Sequence, residues 1–166
     1  MSQSLPIYLA DEQATEALGG AMAACVVPGL VIFLEGDLGV GKTTVVRGLL
    51  RALGDSGPVK SPTYTLVALH AISGLDLYHF DFYRFNEPEE FLDAGLEEYF
   101  DKCHVCLVEW PQRAAAYLPA ADLLIRLEIS GEGRSATVAA AGELGRQCLN
   151  RLTSDAGISL GLPPPA

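Results

Sequence analysis

One stretch, Gly36-Asp37-Leu38-Gly39-Val40-Gly41-Lys42-Thr43, limits what this chain can fold into more than any other. It follows the pattern G-x-x-x-x-G-K-[ST], in which a loop turns its backbone N–H groups inward around a phosphate. Side chains at the glycine positions would obstruct that turn. The lysine reaches the outer phosphate oxygens, the next hydroxyl offers a metal position, and a helix starting there adds the partial positive charge of its N-terminus. The flanks agree with this reading. Leu30-Val-Ile-Phe-Leu-Glu35 is a near-continuous apolar run of the kind that central parallel strands show, and Thr43 to Leu53 reads as a helix closed by Gly54. A chance match in a chain of this length is expected at roughly the half-per-cent level. The strand–loop–helix setting lowers that further, so the segment predicts binding of a nucleoside triphosphate, ATP with magnesium.

The rest of the chain reads as elements around that loop. Residues 5–9 look like a short edge strand, and Asp11 offers an N-cap to a helix carrying Leu18, Met22 and Cys25. Gly57 to Thr65 lacks a helical period and predicts a loop passing into a strand from Tyr64 to His70. Leu77 to Tyr83 is aromatic-rich and strand-like, and a helical stretch opens at Glu87-Pro88 and lasts to about Phe100, broken at Gly95. Val105 to Val108 is a short apolar strand ending at Glu109. Asp122–Ile129 and Ala136–Ala140 form a hairpin pattern through Ser130 to Arg134, and Glu143 to Leu152 a last helix. The predicted fold class is α/β: a P-loop NTPase-like mixed, mainly parallel sheet flanked by helices, with a C-terminal β-hairpin. One domain is expected over 1–152, with a disordered tail over 153–166.

Composition narrows the function. A chain of 166 residues with 49% hydrophobic and 19% charged residues can build a core without disulfides or metals. A formal charge of −10 opposes direct binding to a polyanion such as RNA. The start Met1-Ser-Gln-Ser-Leu-Pro6 lacks the pattern of a signal peptide, and no stretch of 18 apolar residues occurs, so a cytoplasmic protein with no membrane contact is expected. Cys103-His104-Val105-Cys106 has a spacing seen in zinc and redox sites but lacks a second ligand pair. On a strand, positions 103 and 106 would face opposite sides, as ordinary small residues do.

A P-loop enzyme needs an acid at the end of a neighbouring strand. Glu109 fits, because it terminates an apolar run; its bland reading is an exposed strand end. Asp81 fits too, since a strand would put His79, Asp81 and Tyr83 on one face. Its alternative is a structural ion pair with Arg84 or another cation. Trp110, the single tryptophan, has simple packing as its competing role.

Four blocks together carry a resemblance: Gly36-Asp-Leu-Gly-Val-Gly-Lys-Thr-Thr44, Val59-Lys-Ser-Pro-Thr63-Tyr-Thr65, His79-Phe-Asp81-Phe-Tyr83-Arg84 and Leu107-Val-Glu109-Trp110-Pro111-Gln112. In order and spacing, over approximately residues 8–152, the chain resembles the bacterial TsaE (YjeE) family. The resemblance implies an ATPase accessory to TsaB and TsaD in forming threonylcarbamoyladenosine on tRNAs that read codons starting with A. It meets tRNA only through that complex. It further implies that Lys42, Thr43 and Thr44 hold phosphate within the loop of Gly36, Gly39, Val40 and Gly41, and that Thr43 and Glu109 hold magnesium. Asp81 and Trp110 are implied as needed for activity, Thr63 as a switch-like threonine, and Glu12, Gln112, Gly133 and Arg134 as nucleotide contacts. For Thr63 a plain Pro-Thr turn is the alternative.

Two other classes compete. A P-loop kinase for a small metabolite or nucleoside usually carries an arginine-bearing lid. Here the arginines after Arg84 are scattered singly at 113, 126, 134, 146 and 151. A GTPase or nucleotide sensor would use Asn-Lys-x-Asp for guanine, a sequence this chain lacks, so ATP is preferred.

Overall fold

A computed structural model describes residues 3–72 and 74–154. Seven strands form one mixed sheet in the order β1-β7-β6-β2-β5-β4-β3. They are β1 (Gln3–Leu9), β2 (Val31–Glu35), β3 (Val67–Ile72), β4 (Leu75–Asp81), β5 (Val105–Glu109), β6 (Leu123–Ser130) and β7 (Gly133–Ala140). The helices are α1 (Glu12–Met22), α2 (Lys42–Ala52), α3 (Glu90–Asp93) and α4 (Gly142–Ser154). The four central strands run parallel, with β2 between β5 and β6 and β4 beside β5. Antiparallel pairings close both sides, β3 on β4 and β6–β7–β1 on the other flank. The all-buried run of β5 is what a strand covered on both faces requires.

Several boundaries shift for local reasons. The strand expected from Tyr64 starts at Val67, because Leu66 takes a left-handed conformation (φ 71°) and its N–H closes a turn on the Pro62 carbonyl at 2.8 Å. The strand expected to end at Tyr83 ends at Asp81, so Tyr83 does not share a strand face with His79 and Asp81. The hairpin is tighter than expected. Gly131 at φ 59° lets Ser130 pair with Gly133, which moves Gly133 and Arg134 from the turn into β7. Helix α4 includes Thr153 and Ser154, and the rest of the expected tail lies outside the described residues.

Alternation along the strands divides the core. Leu77, Val105, Leu107, Ile32 and Leu34 face a layer made by α1, α2 and α4, with Val46, Leu50 and Leu152. Phe80, Cys106 and Val108 face the other side, where Phe82, Phe85 and Phe91 gather. Phe82 and Phe85 stack with ring centroids 4.7 Å apart. Cys25 and Cys148, 123 residues apart, meet with Cα atoms 4.9 Å apart, within disulfide distance, a pairing that the spacing did not suggest. Cys103 is exposed ahead of β5 and Cys106 is buried within it, with no metal-holding cluster of three or more His, Cys, Asp or Glu among the described residues.

Helices α1 and α2 touch backbone to backbone. A Cβ on Gly19 would fall on the Val45 carbonyl oxygen, and one on Gly48 on the Glu16 carbonyl oxygen. Since α2 begins at the loop and α1 starts beside it, this contact sets how far apart the loop and the start of α1 stand. Helix propensity alone would make Gly48→Ala stabilising by about 1 kcal/mol. Overpacking opposes it and wins, so a net loss of roughly 2 kcal/mol is expected in urea unfolding. A variant as stable as the wild type would show that the helices separate freely.

Candidate functional site

The carboxyl ends of β2, β4 and β5 meet the start of α2, the place where open α/β sheets hold ligands. Asp81 and Glu109 are register partners on adjacent parallel strands, so their side chains emerge together on the α2 face. Both are 3% exposed. The loop leads into α2 through Gly39 and Gly41, both at positive φ (79° and 120°), a backbone that favours glycine. Thr43, in the first turn, places its hydroxyl 3.0 and 3.1 Å from the two Glu109 oxygens. Ser61 Oγ lies 2.9 Å from Glu109 Oε2 and also bonds Asp81 Oδ2. His79, fully buried and two residues before Asp81, sets Nε2 2.7 Å from Glu109 Oε2.

Lys42 is 5% exposed, and its ammonium donates to the loop's own carbonyls, Gly36 and, at 2.9 Å, Asp37. Burial pulls its pKa down, against the opposing pull of Glu109, Asp81 and Asp37. Burial pushes Glu109 upward, yet hydrogen bonds and charge from His79, with Ser61 and Thr43, outweigh it and hold the carboxyl below the ordinary range. Asp81 goes the other way. Burial raises it, aided by the Glu109 charge, and the bonds to Ser61 and the Tyr83 N–H only partly compensate. The alternative reading of Asp81, an ion pair with Arg84, does not form: Arg84 lies 4.0 Å over the Tyr64 ring. A polyphosphate entering here would meet the Asp81 and Glu109 carboxylates, whose repulsion a divalent cation bound with it would offset. The donors on offer are carboxylate and hydroxyl oxygens, the hard ligands that suit magnesium.

Trp110 follows Glu109 in a left-handed conformation (φ 59°), uncommon for a bulky residue. That turn carries the indole back to the loop, with Lys42 Nζ 4.3 Å from the ring centroid and the Tyr83 ring centroid 5.1 Å away. A cavity of about 210 Å³ collects Lys42, Thr43, Thr44, Ser61, Thr63, Asp81, Glu109 and Trp110. A second, of about 340 Å³, shares Gly39, Gly41 and Thr44 with it and runs on between Asp11, Glu12 and Thr15 of the α1 start and Glu132, Gly133 and Arg134 of the hairpin. The two adjoin at those three residues, as a groove along the loop. Arg134 Nε donates to the Val40 carbonyl at 2.9 Å, tying the hairpin to the loop. Glu12 borders the groove but is paired with Arg47 at 2.6 Å. Gln112 stands apart, in a cleft on the loop's other flank with Gly36, Asp37 and Arg126.

This arrangement has relatives. A family model described as "Threonylcarbamoyl adenosine biosynthesis protein TsaE" matches residues 9–137. The chain belongs to the TsaE family. A Haemophilus influenzae protein named tRNA threonylcarbamoyladenosine biosynthesis protein TsaE is 36% identical over 157 residues, 92% of this chain and 99% of that one. A Bacillus subtilis protein of the same name is 41% identical over 133 residues, 80% of this chain and 83% of that one. The crystal structure of Bacillus subtilis YdiB superposes with a TM-score of 0.79 at 33% identity, covering 92% of this chain and 96% of that one. Gly39, Gly41, Lys42, Thr43, Thr44, Thr63, Asp81, Glu109 and Trp110 share one cavity, Val40 lines the adjoining one with Glu12, Gly133 and Arg134, and Gly36 lies in the cleft with Gln112.

Two members of the site were not singled out from sequence, His79 and Ser61. The signal for His79 was the two-residue step to Asp81 on a strand; for Ser61 it was the two-residue step to Thr63. Asp81→Asn keeps an oxygen for the Tyr83 N–H and removes a buried charge next to Glu109. Because the carboxyl is raised in the folded chain, its ionisation weakens the fold above that raised pKa, and the effect disappears at low pH where folded and unfolded chains are both protonated. The variant should therefore unfold about 2–4 °C higher than wild type at neutral pH without nucleotide. The gain should shrink as the pH falls into the acid range. A neutral-pH midpoint at or below wild type would contradict this reading of Asp81.

Proposed function

We propose that the chain binds and hydrolyses ATP, with magnesium, as an accessory protein in threonylcarbamoyladenosine formation on tRNAs that read codons starting with A, working with TsaB and TsaD in the cytoplasm. Membership of the TsaE family supports the pathway. The observation that supports the chemistry is the contact of Thr43 with both oxygens of Glu109 at the mouth of the phosphate loop, beside a buried lysine. In this reading Lys42, Thr44 and the loop amides between Gly36 and Thr43 hold the phosphates. Thr43 and Glu109 hold magnesium, whose chemistry is to neutralise charge on the outer phosphate oxygens. Asp81, Thr63 and Trp110 border the outer phosphates, and the extension past Glu12 and Arg134 takes the nucleoside.

The same site explains dependence on partners. Among the described residues, no arginine lines the cavity that holds Lys42 and Glu109. Arg84 rests on Tyr64, and Arg113 donates to the Phe85 carbonyl at 3.3 Å. Lack of an arginine at the transferring phosphoryl group slows hydrolysis by about 10³–10⁵-fold. The isolated chain is therefore slow, and TsaB and TsaD stimulate it. With a net charge of −10, it meets tRNA through that complex rather than directly. No helix among the described residues is long and apolar enough to cross a membrane.

Three measurements test the proposal together. ATP should bind in preference to GTP in parallel titrations, hydrolysis should rise when TsaB and TsaD are added, and nucleotide-dependent pull-down of those proteins should be lost in Glu109→Ala. Hydrolysis by the isolated chain as fast as in the mixture would contradict partner activation. Transfer of label from the γ-phosphate to a small acceptor would favour a kinase instead.

A further inference from the structure

We propose that His79 is a positioning residue for Glu109, a role that rests on the site read above and adds a member to it. The imidazole is wholly buried on β4, on the face that carries Asp81. Its strand partner on β5 is Leu107, and Glu109 lies two residues further along, so the ring reaches the carboxylate diagonally across the two strands. A carboxylate offers only acceptors, so the 2.7 Å contact makes Nε2–H the donor and Oε2 the acceptor.

The other ring nitrogen shows why packing alone does not account for a histidine here. Nδ1 is buried and has no hydrogen-bond partner among the described residues. An unpartnered buried polar atom costs stability that an aliphatic side chain of similar size would not. The strand neighbour on the same face, Leu77, is such a residue and is equally buried. What the histidine supplies is the single bond to Glu109.

That bond sorts the two carboxylate oxygens. Oε2 receives His79 and Ser61 and lies 3.1 Å from the Thr43 hydroxyl, whereas Oε1 has only that hydroxyl, at 3.0 Å. The ring thus helps fix the rotation of the carboxylate and leaves Oε1 the less occupied oxygen of a residue that lines the cavity. Residues that hold a metal-binding carboxylate in this way typically change metal affinity by about 10–100-fold when removed.

The test uses the full chain, Mn²⁺ as probe and the β,γ-imido analogue of ATP, with metal affinity read by electron paramagnetic resonance. In His79→Leu, Mn²⁺ affinity in the presence of the analogue should fall about tenfold, while affinity for the analogue in EDTA stays unchanged. His79→Gln, whose amide nitrogen reaches the place of Nε2, should recover affinity close to wild type. His79→Asn, polar but too short, should behave like the leucine variant. If His79→Leu does not fold, the glutamine and asparagine variants decide between them. Equal Mn²⁺ affinity in all folded variants, or parallel losses of metal and nucleotide affinity, overturns the positioning role. Absence of Mn²⁺ and analogue binding in wild type overturns the underlying site, and the role with it.

Discussion

The hydrogen bonds between the Thr43 hydroxyl and the Glu109 carboxylate join the first turn of the loop's helix to the end of the central strand β5. Much of the fold exists to make that contact at one distance. The parallel pairing of β2 with β5 brings Glu109 level with Leu34, just before the loop begins, and the pairing of β5 with β4 places Asp81 at its side. The glycine contact between α1 and α2 then holds the loop's helix against the neighbour whose N-terminus borders the same groove. A shift of one residue in either strand pairing would turn the carboxylate to the aromatic side of the sheet.

The site also runs against stability. An ammonium, two carboxylates and an imidazole are all at most 5% exposed, where ionised groups are held only by partners. Glu109 has such partners and keeps its charge easily. Asp81 is less well served and sits next to a like charge, which explains why the two acids are pushed in opposite directions. Trp110 adds a left-handed backbone to bring its ring near Lys42. Strain and buried charge of this kind cluster where function constrains the chain.

Much of this was legible in the sequence, for identifiable reasons. The loop declared itself because its positive backbone angles favour the glycines it carries and because an apolar run and a helical pattern flank it. The edge strand, the Asp11 cap and the two apolar strands followed from local chemistry, and the cap bond to Ala14 forms as expected at 2.8 Å. Sequence did not determine where β3 starts, since Leu66 is an aliphatic residue in a conformation that propensity assigns to glycine. It left open a pair between Asp81 and Arg84, and only the folded chain shows Arg84 over the ring of Tyr64, twenty residues away. The Cys25–Cys148 pairing and the diagonal reach of His79 depend on which strands and helices become neighbours, and no local pattern carries that information.

The claim that the loop and the strand-end carboxylates make one triphosphate site is tested most directly by calorimetric titration of the full chain with ATP and magnesium. Wild type should bind one equivalent saturably, and Lys42→Ala, at unchanged thermal stability, should show no detectable binding. Equal affinity in the two proteins would contradict it.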